Sequence, residues 1–216
     1  MKLRCAAVSA AAVLSAGCGA GGGRGTAQVW ITRDRGTHVV AVRTVPAGLT
    51  AMQALDRVAK VETRYGGRFV QAIGGAQGSL SKRRDWFYFV NGIEADRSAA
   101  EVRLRAGDVE WWDLRSWANG RMSQPVVVGS WPKPVEGNVL VVAGDLAARG
   151  AARALARSLH ARGGHGRHRV FVISKPVVFH GEREAGGKLV FTISAADAVR
   201  LARNPKLARF RYEGLP

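Results

Sequence analysis

The sequence predicts an α+β protein with two folded segments, and three observations support this class. Short runs of alternating apolar residues, typical of strands, are interspersed with runs at the spacing of amphipathic helices. Hydrophobic residues make up 47% and charged residues 23% of the 216 residues, a composition typical of globular proteins. A stretch containing Pro125, Pro132 and Pro134 interrupts this pattern and separates the two segments.

Residues 1–18 are predicted to be a secretory signal peptide. Lys2 and Arg4 supply positive charge, and the apolar run that follows is too short to cross a membrane. Residues 14–18, Leu-Ser-Ala-Gly-Cys, resemble the bacterial lipobox, in which the cysteine becomes diacylated, although the leucine stands one position earlier than usual. We therefore expect a lipid on Cys18 that anchors the protein to the outer face of the cytoplasmic membrane. The alternative is plain secretion after cleavage near Gly17 or Ala20.

The cysteine count agrees with export. The chain has two cysteines, Cys5 and Cys18, and after cleavage only Cys18 would remain, blocked by its lipid. No free thiol would then be exposed to an oxidising compartment, and neither a disulfide scaffold nor a cysteine-based zinc site can form. Residues 19–26 are rich in glycine and are expected to form a flexible tether.

The charge of the chain is strongly positive. There are 33 Lys and Arg residues against 16 Asp and Glu, a formal net charge of +17, and 26 of the 33 cations are Arg. Outside the membrane, nucleic acid is not an expected partner, and anionic lipid headgroups or wall polymers are the plausible counter-charges. The alternative explanation is the Arg-rich codon usage of a GC-rich genome.

Residues 27–118 show the element order β-β-α-β-β-β, which favours a β-grasp-like domain. The helix begins at a capping box, in which Thr50 and Gln53 satisfy each other's main-chain donors. Asn91-Gly92 is a strong turn signal after a strand. The predicted elements are strands over 28–32, 37–45, 68–73, 85–90 and 109–114 and a helix that starts at Ala51.

Residues 119–137 are predicted to form a Pro-bearing linker, in which 126–128 could still be an edge strand. Residues 138–216 then show the order β-α-β-β-α-β, the split pattern of ferredoxin-like folds, and are predicted to be a second, small α+β domain. Its predicted elements are strands over 138–143, 169–174, 189–194 and 208–212 and helices over 146–159 and 195–203.

The aromatic run of residues 86–92, Trp-Phe-Tyr-Phe-Val-Asn-Gly, carries a family resemblance. Together with Gly107-Asp108, Trp111-Trp112 and the upstream segment 48–61, it resembles the DUF4430 family over residues 28–116. That family is related to the C-terminal β-domain of transcobalamin and intrinsic factor.

The resemblance implies an extracellular ligand-binding module that is not an enzyme. In the transcobalamin relatives, this domain covers one face of a corrinoid together with a helical barrel, for which the present sequence has no room. Cobalamin is therefore a possible ligand, although at most one half of such a binding site is present. No cofactor is expected.

Five of the six tryptophans lie between Trp86 and Trp131, and aromatic rings suit flat, conjugated ligands. Side chains alternate along a strand, so we expect Phe87 and Phe89 in the core and Trp86 and Tyr88 open to a ligand. The alternatives are that the aromatics fill a small β core and that Asn91 serves only a turn. The predicted ligand-binding residues are Trp86, Tyr88, Asn91, Trp111, Trp112 and Trp117.

Catalysis and metal binding are not expected. No Ser, His and Asp residues occur in a catalytic motif. His160, His165 and His168 cluster, but arginines lie among them and no carboxylate or cysteine completes a site. The sequence thus predicts a membrane-anchored lipoprotein that captures a corrinoid or a similar molecule for an importer. The alternative is a surface interaction or adhesion module that binds a protein or an anionic wall polymer.

Overall fold

The computed structural model describes residues 25–118, 122–161 and 164–216. The predicted signal peptide, the lipidated Cys18 and most of the tether lie outside these residues. The described chain forms three β-sheets and three α-helices, so the α+β class is confirmed. None of the helices described is long and apolar enough to cross a membrane.

The first segment contains a mixed five-stranded sheet and a small three-stranded sheet. Its strands are β1 (Thr26–Arg33), β2 (His38–Pro46), β3 (Val61–Arg64), β4 (Phe69–Ile73), β5 (Ala76–Gln77), β6 (Arg84–Val90), β7 (Ile93–Glu94) and β8 (Val109–Ser116). The large sheet has the order β2-β1-β8-β6-β7, with β1 and β8 parallel, and the small sheet has the order β3-β4-β5. The β-grasp assignment itself stays a prediction.

Helix α1 (Ala51–Asp56) is shorter than the predicted helix. The capping box is present: the Thr50 N–H donates to Gln53 Oε1 at 2.9 Å, and the Gln53 N–H donates to Thr50 Oγ1 at 3.2 Å. The chain after α1 turns at once into β3, an antiparallel partner of β4 that the sequence analysis missed. Gly66 and Gly67, both at positive φ, make the turn between these two strands.

The second segment contains one four-stranded sheet. Its elements are β9 (Val139–Ala143), α2 (Arg149–Ser158), β10 (His168–Ile173), β11 (His180–Arg183), β12 (Leu189–Ser194) and α3 (Ala195–Arg203). The sheet order is β11-β12-β10-β9, with β9, β10 and β12 parallel. The predicted ferredoxin-like order is wrong, because α2 joins strands that are direct neighbours, whereas the split pattern places a strand between them.

The prediction of a last strand over residues 208–212 is also wrong. A short 3₁₀ helix, Pro205–Ala208, follows α3, and the chain then reverses at Phe210, whose φ is 61°. This conformation is incompatible with an extended strand. The segment instead packs onto the first segment, where Tyr212 is buried.

Both faces of the large sheet are covered. On one face, Ile31, Leu55 and Trp112 belong to a core closed by α1 and the small sheet. On the other face, Trp111 and Tyr212 belong to a core that the two segments share; its buried members are Trp30, Phe89, Val109, Trp111, Val127 and Tyr212. A third core lies within the second segment, between its sheet and its helices.

The Pro-bearing stretch is packed into the protein. Val126, Val127 and Val128 are buried, and the Val127 N–H donates to the Gly92 carbonyl at 2.8 Å. Val126 also forms an isolated antiparallel bridge with Ile93. This part of the predicted linker therefore fastens the two segments together, while the domain boundaries themselves stay a prediction.

The buried carboxylate of Asp113, on β8, joins the two segments. Its Oδ1 accepts from Thr32 Oγ1 at 2.6 Å and from the Gly36 N–H at 3.2 Å. Its Oδ2 accepts from the Arg35 N–H at 3.1 Å and from the Tyr212 hydroxyl at 2.9 Å. Four donors thus satisfy this buried charge, and one of them comes from the second segment.

The contact leaves no room for a side chain at Gly36. A Cβ atom there would lie 1.8 Å from the Phe210 carbonyl oxygen, and Gly36 has a φ of 81°. Glycine is therefore required for the close approach of the two main chains.

We expect the change Tyr212→Phe to lower the free energy of unfolding by about 1–2 kcal/mol, because it removes a buried hydrogen bond to a carboxylate and retains the ring. Tyr65→Phe is the matched control, since Tyr65 is 78% exposed. Urea denaturation monitored by tryptophan fluorescence measures both. Equal stability of the two variants would contradict a role for the Tyr212 hydroxyl in joining the segments.

Candidate functional site

A cleft of about 520 Å³ lies beside β6 and is named the β6 cleft here. Its floor is β6 from Asp85 to Tyr88, and its sides are the start of β4 and the segment 94–99. Apolar and aromatic side chains predominate in the lining, which includes Phe69, Leu80, Trp86, Phe87, Tyr88, Trp112, Trp117 and Met122. Apolar concave surfaces of this size are typical of ligand sites.

One wall of the cleft is the half-buried ring of Tyr88, backed by the ring of Trp112, which is 3% exposed. The rings of Tyr88 and Trp112 lie 4.7 Å apart at an interplanar angle of 16°. The Tyr88 hydroxyl donates to the Arg97 carbonyl at 2.5 Å, and Trp112 Nε1 donates to Glu110 Oε1 at 2.5 Å. Because hydrogen bonds hold both rings, the wall is already formed before any ligand binds.

Trp86 is not open to a ligand as predicted. Its side chain is 6% exposed, and its Nε1 donates to the Ala76 carbonyl at 2.8 Å. Phe89 is fully buried, as expected, whereas Phe87 is only half-buried, with the Arg115 guanidinium 3.7 Å from its ring centre. The alternation of side chains along β6 correctly placed Trp86 and Tyr88 on one face of the strand and Phe87 and Phe89 on the other. It could not show that other parts of the protein cover both faces.

Two predicted site residues lie away from the cleft. Asn91 has a φ of 52° and its side chain bonds the start of β8: Nδ2 donates to Asp108 Oδ1 at 2.8 Å, and Oδ1 accepts from the Val109 N–H at 2.9 Å. Trp111 is fully buried and donates through Nε1 to Thr32 Oγ1 at 2.8 Å. The cleft does bring together Trp86, Tyr88, Trp112 and Trp117, whose ligand roles stay predictions.

The sequence analysis missed the exposed apolar rim of the cleft. Leu80 is 77% exposed and Met122 55% exposed. Phe69 and Leu80 also line an adjoining cleft of about 480 Å³, which continues to the exposed Tyr65. Exposed apolar side chains grouped in this way mark interaction sites. The available signal was Leu80 itself, a large apolar residue between two serines in a charged turn region.

The carboxylates of the cleft are engaged in holding its walls. Glu94 Oε2 accepts from Ser123 Oγ and from the Gln124 N–H, both at 2.7 Å. Asp85 Oδ1 accepts from the Trp86 N–H at 2.9 Å. Burial raises the pKa of Asp85, and the Trp86 N–H and the charge of Arg64 oppose the rise.

Glu110 supports the aromatic wall from behind. It is fully buried, and no residue that the structure describes bonds to its Oε2 atom. Burial raises the pKa of Glu110 to about 8, although the hydrogen bond from Trp112 partly opposes this rise. Burial also raises the pKa of Tyr88, and the negative charge of Glu110 adds to that rise.

We expect Glu110 to lower the free energy of unfolding as the pH rises from 5 to 8, by about 1 kcal/mol per pH unit. Over this interval, folded Glu110 keeps a proton that the unfolded chain has lost, since its pKa is raised from 4.5 to about 8. Glu110→Gln should remove this slope, because it has no proton to lose. Urea denaturation at several pH values measures it, and Glu101→Gln, at an exposed site, is the control. An unchanged slope in Glu110→Gln would refute the assignment.

No group of three or more His, Cys, Asp or Glu side chains that could hold a metal ion occurs in the part of the chain that the structure describes. His168, one of the clustered histidines, lies in β10, where its Nδ1 accepts the Leu189 N–H at 3.1 Å.

Residues 48–116 match the model of a family described as "Domain of unknown function (DUF4430)". The resemblance predicted from the sequence is therefore confirmed over these residues, which include α1, β6 and β8. A comparison with curated proteins finds no match.

Two solved structures are similar to the chain at low TM-scores. One is a "putative metal binding protein" from Ruminococcus gnavus ATCC 29149, at 14% identity and a TM-score of 0.33, covering 43% of this chain and 97% of that chain. The other is haptocorrin in complex with Cbi, at 14% identity and a TM-score of 0.34, covering 42% of this chain and 25% of that chain.

Proposed function

We propose that this chain is an exported ligand-binding protein that captures a small molecule in the β6 cleft. The observation that carries the proposal is the fixed wall of Tyr88 stacked on Trp112, beside the exposed apolar rim of Leu80 and Met122. A preformed apolar wall lowers the entropy lost when a ligand binds. The carboxylates Asp85 and Glu94 accept hydrogen bonds that hold the walls, which supports a role in binding.

The wall suits a ligand with a flat, apolar body. A conjugated ring system can lie against the stacked rings, and its polar edge can reach Arg68, Arg97 or Ser98 at the side of the cleft. A corrinoid, the ligand that the family resemblance implies, fits this description. Because the cleft is a surface feature, one face of a bound ligand remains accessible to a membrane importer.

The proposed location follows from the N-terminal sequence. Cleavage before Cys18 and its lipidation would hold the protein on the outer face of the cytoplasmic membrane, with residues 19–26 as a tether. A membrane importer is the partner that such an anchored capture protein would serve.

A surface interaction module is the second candidate, and one specific observation favours it. Four exposed cations, Arg64, Arg68, Lys82 and Arg83, lie beside the apolar rim and make no salt bridge within the described ranges. Such a surface attracts anionic partners through an interaction that salt weakens. A flat apolar ligand would instead bind with little dependence on salt.

We expect cobinamide and cobalamin to quench the tryptophan fluorescence of the purified protein in a saturable manner. Leu80→Ala should weaken binding roughly tenfold, because it removes apolar surface that the ligand covers. Leu146→Ala is the matched control, since Leu146 is 73% exposed in the second segment, away from the cleft.

Equal affinity of the two leucine variants would place any binding outside the β6 cleft. Absence of quenching by either corrinoid would remove the corrinoid assignment. Binding of an anionic wall polymer that salt abolishes would then favour the interaction module.

A further inference from the structure

The outer edge of β6 has a gap in its main-chain pairing. The Asn91 N–H donates to the Val109 carbonyl at 2.8 Å, on the β8 side of the strand. Because main-chain groups alternate in direction along a strand, Trp86 and Tyr88 direct theirs to the opposite, outer side. On that side β7 ends at Glu94 and pairs with β6 only at its last two residues.

Bonds within the chain close both ends of this gap. At one end, the Tyr88 carbonyl accepts from the Ala95 N–H at 3.1 Å. At the other end, the Trp86 N–H donates to Asp85 Oδ1 at 2.9 Å, and the main chain of Arg84 exchanges two hydrogen bonds with that of Ser79, at 2.7 and 3.0 Å. The Trp86 carbonyl and the Tyr88 N–H remain between them, and no residue in the described ranges bonds to either group on this side.

The two free groups, the Trp86 carbonyl and the Tyr88 N–H, are spaced so that a single residue of a neighbouring parallel strand could bond to both. In a parallel ladder, that residue donates its N–H to the carbonyl and accepts from the N–H. An antiparallel strand can bond the same two groups through two of its residues, one before and one after the residue that lies opposite Phe87. The gap therefore fits the main chain of an extended peptide in either direction, with one N–H that donates to Trp86 and one carbonyl that accepts from Tyr88.

The side chains beside the gap suit such a peptide. Phe87 and Tyr88 project from opposite faces of β6, and both line the cleft. An extended peptide directs successive side chains to alternate faces, so apolar side chains on either side of the residue opposite Phe87 find an apolar surface. In such strand-addition sites, the main-chain hydrogen bonds fix the register of the peptide on the strand, and the pockets select its side chains.

The charge beside the cleft favours acidic flanks on the peptide. Arg68 lines the β6 cleft, Arg64 lines the adjoining one, and the exposed Lys82 and Arg83 follow Leu80 in a chain whose net charge is +17. The carboxylates in the lining have partners of their own: Asp85 accepts from the Trp86 N–H, Glu94 accepts from Ser123 Oγ, and Asp96 pairs with Arg97. Acidic residues before and after the apolar centre of a peptide would complement these cations.

We propose that the β6 cleft binds an extended peptide with an apolar centre and acidic flanks, which adds to the edge of β6 at the Trp86 carbonyl and the Tyr88 N–H. This inference goes beyond the proposed function, because a peptide is a second class of ligand for the same cleft.

Hydrogen exchange at individual amides tests the main-chain bond. The probe is the acetylated and amidated peptide Glu-Glu-Val-Phe-Val-Leu-Glu-Glu, added to isotope-labelled protein and followed by NMR. We expect exchange of the Tyr88 amide to slow by about tenfold or more at saturation, because a free edge amide becomes bonded. The Ala95 amide, bonded already, is the internal control and should change little. Binding without slower exchange at Tyr88 would overturn the inference.

Methylation of the peptide main chain provides the matched test on the ligand. One amide of the apolar centre is N-methylated at a time. Methylation of the one amide that donates to the Trp86 carbonyl should weaken binding roughly tenfold, whereas the adjacent amides face away and should tolerate the methyl group. A uniform effect along the apolar centre would overturn the inference.

Two further arms separate the peptide from other ligands. If cobinamide binds in a Leu80-dependent manner and no peptide binds, the inference fails while the proposed function stands. If neither the peptide nor cobinamide binds, both fail. If vesicles of phosphatidylglycerol bind and the peptide does not compete with them, the surface recognises lipid and the inference fails.

Discussion

The buried carboxylate of Asp113 is the constraint on which the arrangement of the site depends. It takes donors from β1, from the turn after β1 and from Tyr212, so the end of the second segment is held against the large sheet. The rings of Tyr212, Phe89 and Trp111 then pack edge to face or tilted on that side. With α1 and the small sheet on the opposite side, both faces of β6 are largely covered, and the strand remains accessible along its outer edge, where the cleft lies.

The local part of this architecture could be predicted from the sequence. Alternation identified β1, β2, β6 and β8, and the Thr50 capping box and the Asn91-Gly92 turn were both recognisable. Contacts between distant residues could not be predicted. Periodicity does not reveal that Val127 packs beside Trp111, that Tyr212 reaches Asp113, or that β9 and β10 are direct neighbours. For the same reason, the sequence placed Trp86 in solvent, although the small sheet covers it.

In the candidate site, too, local features could be predicted from the sequence and contacts between distant residues could not. Four of the six predicted residues meet in the cleft, because β6 and β8 are adjacent and pair Tyr88 with Trp112. Trp111 and Asn91 are structural, one in the shared core and one in a turn. The sequence did not predict a role for Leu80, because a single leucine in a turn belongs to no periodic pattern. Its place in the site depends on Phe69 and Asp85, which are distant in the sequence or separated by a turn but line the same cleft.

Asn91 nevertheless controls what the cleft can bind. Asn91 and Gly92, both at positive φ, form a tight two-residue connection that sets the register of β7 on β6. The side chain of Asn91 bonds Asp108 and the Val109 N–H, which ties this turn to β8. The register in turn places Ala95 opposite Tyr88, where its N–H takes the outer carbonyl and ends the pairing. Asn91, which does not line the β6 cleft, thus determines where the edge of β6 becomes free.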